Sequence, residues 1–262
     1  MRSKTRLTFL LLICVSCNSS SSDADVHTAF QIAIAPKNNH INPYVSIGSI
    51  PLPAGFKRSP IESNSFAGWL QQLKLKKDKT VYLYNGQEKA NQGAQFAVLD
   101  ISTGSRDLQQ CADAVMRLRA EYLFAENKFD QIIFTDNEGK RYHFNEPYTA
   151  SHLHTYLQTV FGMCGSASLA KQLHRVDIKE MQPGDVLIRG GFPGHAVMVM
   201  DVAGNESGKK IFLLAQSYMP AQDIHLLINP SDEKLSPWYN IDGAAAIDTP
   251  EYVFSKKELK RW

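Results

Sequence analysis

The stretch from residue 181 to 228, MQPGDVLIRGGFPGHAVMVMDVAGNESGKKIFLLAQSYMPAQDIHLLI, is the most constraining part of the chain. Turn signals at Pro183-Gly184-Asp185, at 190–194 and at 204–208 cut it into three apolar runs, 186–188, 195–202 and 211–217. Runs that are apolar on both faces belong to central strands covered on both sides. His195 and Gln216 therefore stand out as polar groups at the ends of buried strands. Polar side chains there, beside a glycine-rich loop, are where sites are built.

A helix has to cover those strands. Leu108, Cys111, Val115, Leu118, Tyr122 and Ala125 recur three or four apart and predict one from Asp107 to Glu126 with a single apolar stripe. Asp107 and Gln110 can form a capping box, which places Cys111 at the end of the first turn. Three fates are open to that thiol: a small apolar core group, a nucleophile favoured by the helix N-terminus, or half of a disulfide. Its place on a packed stripe argues that it is not bonded to Cys164. Elsewhere the pattern predicts an extended arm over 40–66, a short helix over 65–73 capped by Ser63 or Ser65, and strands at 81–84, 96–101, 132–134 and 141–144. A helix carrying His152 and His154 comes next, and Cys164-Gly165-Ser166 caps another at 167–174. The tail holds an aromatic plug at Trp238-Tyr239 and ends in a strand and a helix. Histidines two apart point to different sides of a helix and make a poor metal pair, so no metal and no cofactor is expected.

Thiol catalysis needs a thiolate, a base for its proton and a group that orients the base. Cys111, His195 and Gln216 supply these in chain order. If the turn at 204–208 joins an antiparallel pair, facing residue numbers sum to 412 or 413 by symmetry about the turn, so His195 faces Ser217 or Tyr218. With Tyr218 opposite, Gln216 is a diagonal neighbour on the same face as His195; with Ser217 opposite, it points away. Ser217, Tyr218, Gln222 and Asp223, if they look outward, could instead hydrogen-bond a sugar or peptide.

Residues 1–16 carry Arg2, Lys4 and Arg6 ahead of the apolar stretch 7–15, a leader too short to span a membrane. Ser16-Cys17 and the polar run NSSSSDAD after it resemble a bacterial lipoprotein signal, with Cys17 as the lipidated residue and 17–39 as a flexible tether. The expectation is an extracytoplasmic protein anchored to a bacterial membrane by lipid, with one domain over 40–262. Of 28 basic and 26 acidic residues, three basic ones leave with the leader, and a near-neutral chain without a basic run gives no case for nucleic acid.

The segments Gln182-Pro183-Gly184-Asp185 and Gly194-His195-Ala196-Val197 are similar to the Pro-Gly-Asp and Gly-His-Val segments of papain-like cell-wall amidopeptidases. In that family the histidine starts a central strand, a polar residue on the next strand orients it, and the nucleophilic cysteine opens a helix. The resemblance implies His195, Gln216 and Cys111 in those roles. Cys111 is preceded by Gln110 and followed by Ala112-Asp113, where the family has Asp before and Ser or Gly after. A wider likeness covers most of the mature chain. Ser65-Phe66-x-x-Trp69-Leu70, Gln110-Cys111-Ala112-Asp113-Ala114, Arg119-Ala120-Glu121-Tyr122-Leu123, Pro193-Gly194-His195 and the run 216–223 resemble domain of unknown function family 4846, bacterial and often lipoprotein sequences.

The expected fold is α+β: an antiparallel central sheet packed against a long helix in a papain-like, cell-wall-peptidase-like arrangement. The expected function is a thiol hydrolase or transferase, of amidase or peptidase type, acting on amide or ester bonds of cell-envelope material. The alternative is a non-catalytic envelope lipoprotein that binds peptidoglycan, another glycan or a peptide on the same scaffold.

Overall fold

A computed structural model describes residues 40–242 and 246–262. The leader, Cys17 and the tether lie outside the described residues. In chain order the elements are β1 (Phe56–Arg58), α1 (Phe66–Gln72), β2 (Gln95–Val98), α2 (Cys111–Ala125), β3 (Ile133–Thr135), β4 (Arg141–His143), α3 (Ala150–Met163) and α4 (Ser166–Gln172). Beyond them come β5 (His174–Arg175), β6 (Val186–Arg189), β7 (His195–Asn205), β8 (Lys210–Gln216), β9 (His225–Leu227), β10 (Tyr239–Asn240), β11 (Ala246–Asp248), β12 (Val253–Ser255) and β13 (Leu259–Arg261).

The main sheet runs β2-β9-β8-β7-β6-β13-β5 with every pair antiparallel, while β1 joins β7 and β10 joins β8 at their far ends. The three apolar runs are its centre, β6, β7 and β8. One face of the sheet packs Ala196, Met198, Leu213 and Ala215 with the buried stripe of α2 and with Leu70 of α1. The other packs Val197, Val199, Phe212 and Leu214 with Ile247 and Phe254 of the β11–β12 hairpin. The twofold covering is why these strands read as apolar on both sides.

The turn after β7 is Asn205 to Lys209, where Asn205 Oδ1 accepts from the backbone N–H groups of Ser207 and Lys209. Next to this turn, partners on β7 and β8 sum to 414, as in Ala203↔Ile211. A bulge at Met200 changes the sum to 413, as in Met198↔Ala215. A bulge sets two residues against one and re-aims the side chains beyond it. Continued at 414, Gln216 would sit opposite Met198 and face α2. At 413 it shares a face with His195, and Tyr218 is the residue opposite His195. The second of the two registers admitted by the sequence is therefore the one present, and Met200 selects it.

Several expectations are corrected. The helix expected from Asp107 begins at Cys111, because Asp107 Oδ1 accepts instead from the backbone of Ala221 (2.7 Å) and Gln110 is extended (φ −90°, ψ −165°). The capping box sits three residues later than expected, with Gln110 as the cap and Asp113 Oδ2 accepting from its backbone N–H at 3.0 Å. At 15 residues α2 hardly exceeds α3, at 14, and it shares the sheet face with α1, so no single long helix covers the sheet. Residues 81–84 form only isolated bridges, Tyr82↔Glu88 and Leu83↔Gln222, around a turn with Gly86 at φ +83°. The tail ends in a short 3-10 turn and β13, not a helix, because β13 is held by both β6 and β5. Ser65 does cap α1, accepting from Gly68 at 3.1 Å, and Cys111 and Cys164 are both free and buried.

Candidate functional site

Cys111 is the first residue of α2, so its sulfur lies among helix N–H groups that lack intrahelical partners. The backbone N–H of Ala112 and that of Ala196, the residue after His195, both reach it. Burial and the neighbouring Asp113 carboxyl outweigh those donors and push the thiol up to about 11. The sulfur borders a cleft of about 360 Å³ between the start of α2, the α3–α4 turn and the loop 191–194. Asp113 and Cys164 also line this cleft, and Phe192, Met163 and Met219 form an exposed apolar rim.

His195 is fully buried at the head of β7, ringed by Tyr218 and Tyr252 with centroids 5.0 Å away and by Phe254 at 5.9 Å. Its Nε2 lies 2.8 Å from Gln216 Oε1. The amide Nε2 of Gln216 donates to Glu251 Oε2 at 2.6 Å, and Glu251 in turn pairs with Lys89 (2.6 Å) and Asn91 (3.2 Å). A carboxylate only accepts, so Glu251 fixes the amide orientation, Gln216 then offers its oxygen, and His195 carries its proton on Nε2. The Nδ1 lone pair is left open: that atom is buried and has no partner among the described residues. Burial lowers the imidazole to about 4 against the opposing pull of Gln216 and Glu251. His225 completes the network, with Nε2 at 3.4 Å from the Gln216 amide and Nδ1 donating to Asp223 O at 2.9 Å; burial takes it to about 3.

His195 and Gln216 are thus joined, and the Cys111 thiol is reached by the N–H of Ala196 next to His195, but no hydrogen bond joins Nδ1 to the thiol. Tyr218 stands edge-on to His195 and half-buried, within electrostatic range of Cys111. The other three suggested ligand-binding residues turn inward. Ser217 donates to Gln109 O or Gln222 O, Gln222 donates to Pro220 O, and Asp223 binds Lys76, Thr103 and the Tyr82 backbone. All three are buried, so they knit the β8–β9 connection to the body rather than face a ligand. Glu251, Lys89 and His225 went unread in the sequence. Each sits far from Gln216 or in a segment without a turn-and-strand signature, and only pairing of β8 with β9 and closure of the β11–β12 hairpin bring them in.

Half-buried His152 bonds Pro147 O and stacks near Phe144, and exposed His154 bonds Gln158. Among the described residues no cluster of three or more His, Cys, Asp or Glu could hold a metal, and no helix is long and apolar enough to cross a membrane.

No curated protein and no solved structure matches the chain significantly. The family model described as Domain of unknown function (4846) matches residues 48–149 and 142–261, and with most of its length so covered the chain belongs to that family.

Proposed function

We propose that the protein is a thiol hydrolase or transferase of papain-like layout, acting on amide or ester bonds of cell-envelope material. The observation that carries this reading is the imidazole of His195: held through Nε2 by Gln216, it keeps a buried Nδ1 lone pair with no other partner among the described residues. A purely structural histidine in a core satisfies both nitrogens. A cysteine opening a helix, a histidine opening a central strand and an amide on the next strand are the three parts in the papain-like order.

At rest both groups are neutral, a thiol near 11 and an imidazole near 4. Attack therefore couples two events. The sulfur forms a bond to the substrate carbonyl carbon while its proton passes to His195 Nδ1. The imidazolium so formed is stabilised through Gln216 by Glu251, and the proton then goes to the departing amine or alcohol as the C–N or C–O bond breaks. Water or another nucleophile releases the thioester. The N–H groups of Ala112 and Ala196 lie where negative charge on sulfur is dispersed. Attachment of the chain to a bacterial membrane by lipid on Cys17, outside the cytoplasm, fits an envelope substrate; mass spectrometry of the membrane fraction should find Cys17 acylated at the mature N-terminus.

The test is acyl transfer from p-nitrophenyl acetate followed by peptide mass mapping. Acetyl on Cys111, lost in Cys111→Ala and strongly slowed in His195→Ala, is expected. Acylation that ignores His195→Ala would remove the hydrolase reading. A second reading has its own observation, the upward displacement of the thiol: the same cleft, with its apolar rim, would bind a glycan or peptide without turning it over. Saturable binding of envelope fragments with no acyl-enzyme would select it.

A further inference from the structure

A second cavity lies away from Cys111 and shares no lining residue with its cleft. It measures about 580 Å³, a volume suited to a small organic ligand or a peptide end. Its walls come from α1, the turn 182–185 before β6, residues 202–204 of β7 and the end of β13. Arg119 enters it from α2. The Arg119 guanidinium is wedged among three rings, 5.3 Å from the Phe66 centroid, 5.7 Å from Tyr122 and 5.6 Å from Trp262. These contacts are all it makes: no carboxylate, carbonyl or hydroxyl of the described residues receives its N–H groups. Trp262 Nε1, in the same wall, is likewise buried and has no acceptor among the described residues.

A buried donor such as Trp262 Nε1 is costly unless something accepts from it, and half-buried Arg119 beside it has no acceptor among the described residues. Rings against a guanidinium leave its edge open, and that edge carries parallel N–H bonds that match a carboxylate. The cage is rigid, since Phe66 packs flush on Gly184: a Cβ there would come within 2.5 Å of Phe66 Cδ1. The charge around the cavity narrows the ligand further. Asp185 is taken up by Arg261 through two bonds of 2.6 and 2.9 Å. Among the lining side chains, Arg119, Arg261 and Lys210 stand against Asp185 and Glu180, and with Asp185 held by Arg261 the guanidinium of Arg119 is left without a carboxylate partner among them. Ile61, Phe66, Met181 and Trp262 supply an apolar bed beside it.

We propose that this cavity is a second binding site, in which Arg119 and Trp262 Nε1 receive the carboxylate of a ligand with an apolar body, the chemistry presented by a peptide C-terminus. It is independent of the thiol reading.

The experiment uses the full chain with ¹⁵N-labelled tryptophan, titrated with N-acetyl-leucine, with N-acetyl-leucinamide as the uncharged control, and with inorganic phosphate. The acid should move the Trp262 indole N–H signal in a saturable way, with the amide and phosphate at least about tenfold weaker. Arg119→Gln should weaken the acid by about tenfold or more, and Trp262→Phe, which keeps the ring, by less. Arg119→Lys keeps the charge but not the fork and should recover only part of the loss. Equal response to acid and amide, phosphate binding as well as the acid, no saturable shift, or Arg119→Gln leaving affinity unchanged would each overturn the proposal. The acid–amide–phosphate comparison is made on the unaltered chain, so it stands even if a variant fails to fold.

Discussion

Asp113 holds the third position of α2, where a carboxylate normally complements the positive end of a helix. Two thiols lie nearby, both raised to about 11 with burial as the first cause; the Asp113 carboxyl adds to this at Cys111, while at Cys164 Asp136 and then Asp113 add to it. Burial pushes Asp113 itself well above the usual carboxylate range. Asp113→Asn keeps an oxygen for the Gln110 N–H while removing the charge, so the iodoacetamide labelling midpoint of Cys111 should fall below about 11. A midpoint that stays put or rises would show that burial alone sets it. Glu251 acts at one remove: Glu251→Gln lets the Gln216 amide flip, which would turn a donor toward His195 Nε2 and move the imidazole proton to Nδ1. Acylation of Cys111 should then fall by about ten- to a hundredfold with little change in the labelling midpoint. His195 and Gln216 were legible as polar ends of apolar runs, and the fold joins them, while Cys111 was legible only as one position of a helical stripe starting at Leu108. Glu251, 35 residues beyond Gln216, comes after a Thr-Pro turn and reads as an ordinary surface acid until the hairpin folds over the site.

The bulge at Met200 shows what element-level reading can and cannot supply. Symmetry about the turn gave sums of 412 or 413, whereas pairing next to the turn sums to 414, and the residue that brings it to 413 lies in an unbroken apolar run, Ala196-Val197-Met198-Val199-Met200, with no glycine or proline to mark it. What marks it in the structure is Asp201. This fully buried carboxylate accepts from Arg58 Nε at 2.6 Å, Gln71 Nε2 at 2.8 Å and its neighbour Val202 N at 3.0 Å. Burial raises Asp201 above the usual carboxylate range, and Arg58 pulls it back. Arg58 also caps Ile50 O and lies over Trp238, so β1, α1 and the core aromatic all meet at the bulge. Removing one partner of a buried pair leaves a charge uncompensated and costs about 3–5 kcal/mol; Arg58 is partly exposed, so the lower end applies. Arg58→Met should destabilise the fold by about 3 kcal/mol in urea unfolding, with part of the loss recovered at acid pH as Asp201 takes a proton. A loss below about 1 kcal/mol would mean that Gln71 and the Val202 N–H suffice.

At the scale of the whole molecule, the network behind His195 ties stability to pH. His195 and His225 are fully buried and titrate near 4 and near 3, against 6.5 for an ordinary histidine, with desolvation as the main cause of both shifts. A folded-state pKa below the unfolded one means that, between the two, the unfolded chain binds more protons. Stability is therefore complete above about 6.5 and falls as pH drops toward 4, by about 1.4 kcal/mol per pH unit for each histidine at its steepest. Asp113 and Asp201 are displaced upward and act the other way, since folding favours their protonated forms and regains stability as pH falls. Lys89 and Glu251 face the same network as an ion pair. The slope therefore has to be assigned by substitution. His225→Gln replaces one titrating group with a neutral amide able to donate to Asp223 O. Urea midpoints measured from about pH 7.5 to 4 should fall steeply in the unaltered chain and about half as steeply in the variant, whatever its stability at neutral pH. Parallel curves would place the acid sensitivity elsewhere, and a flat curve in the unaltered chain would mean that water reaches these imidazoles and lets them charge without unfolding.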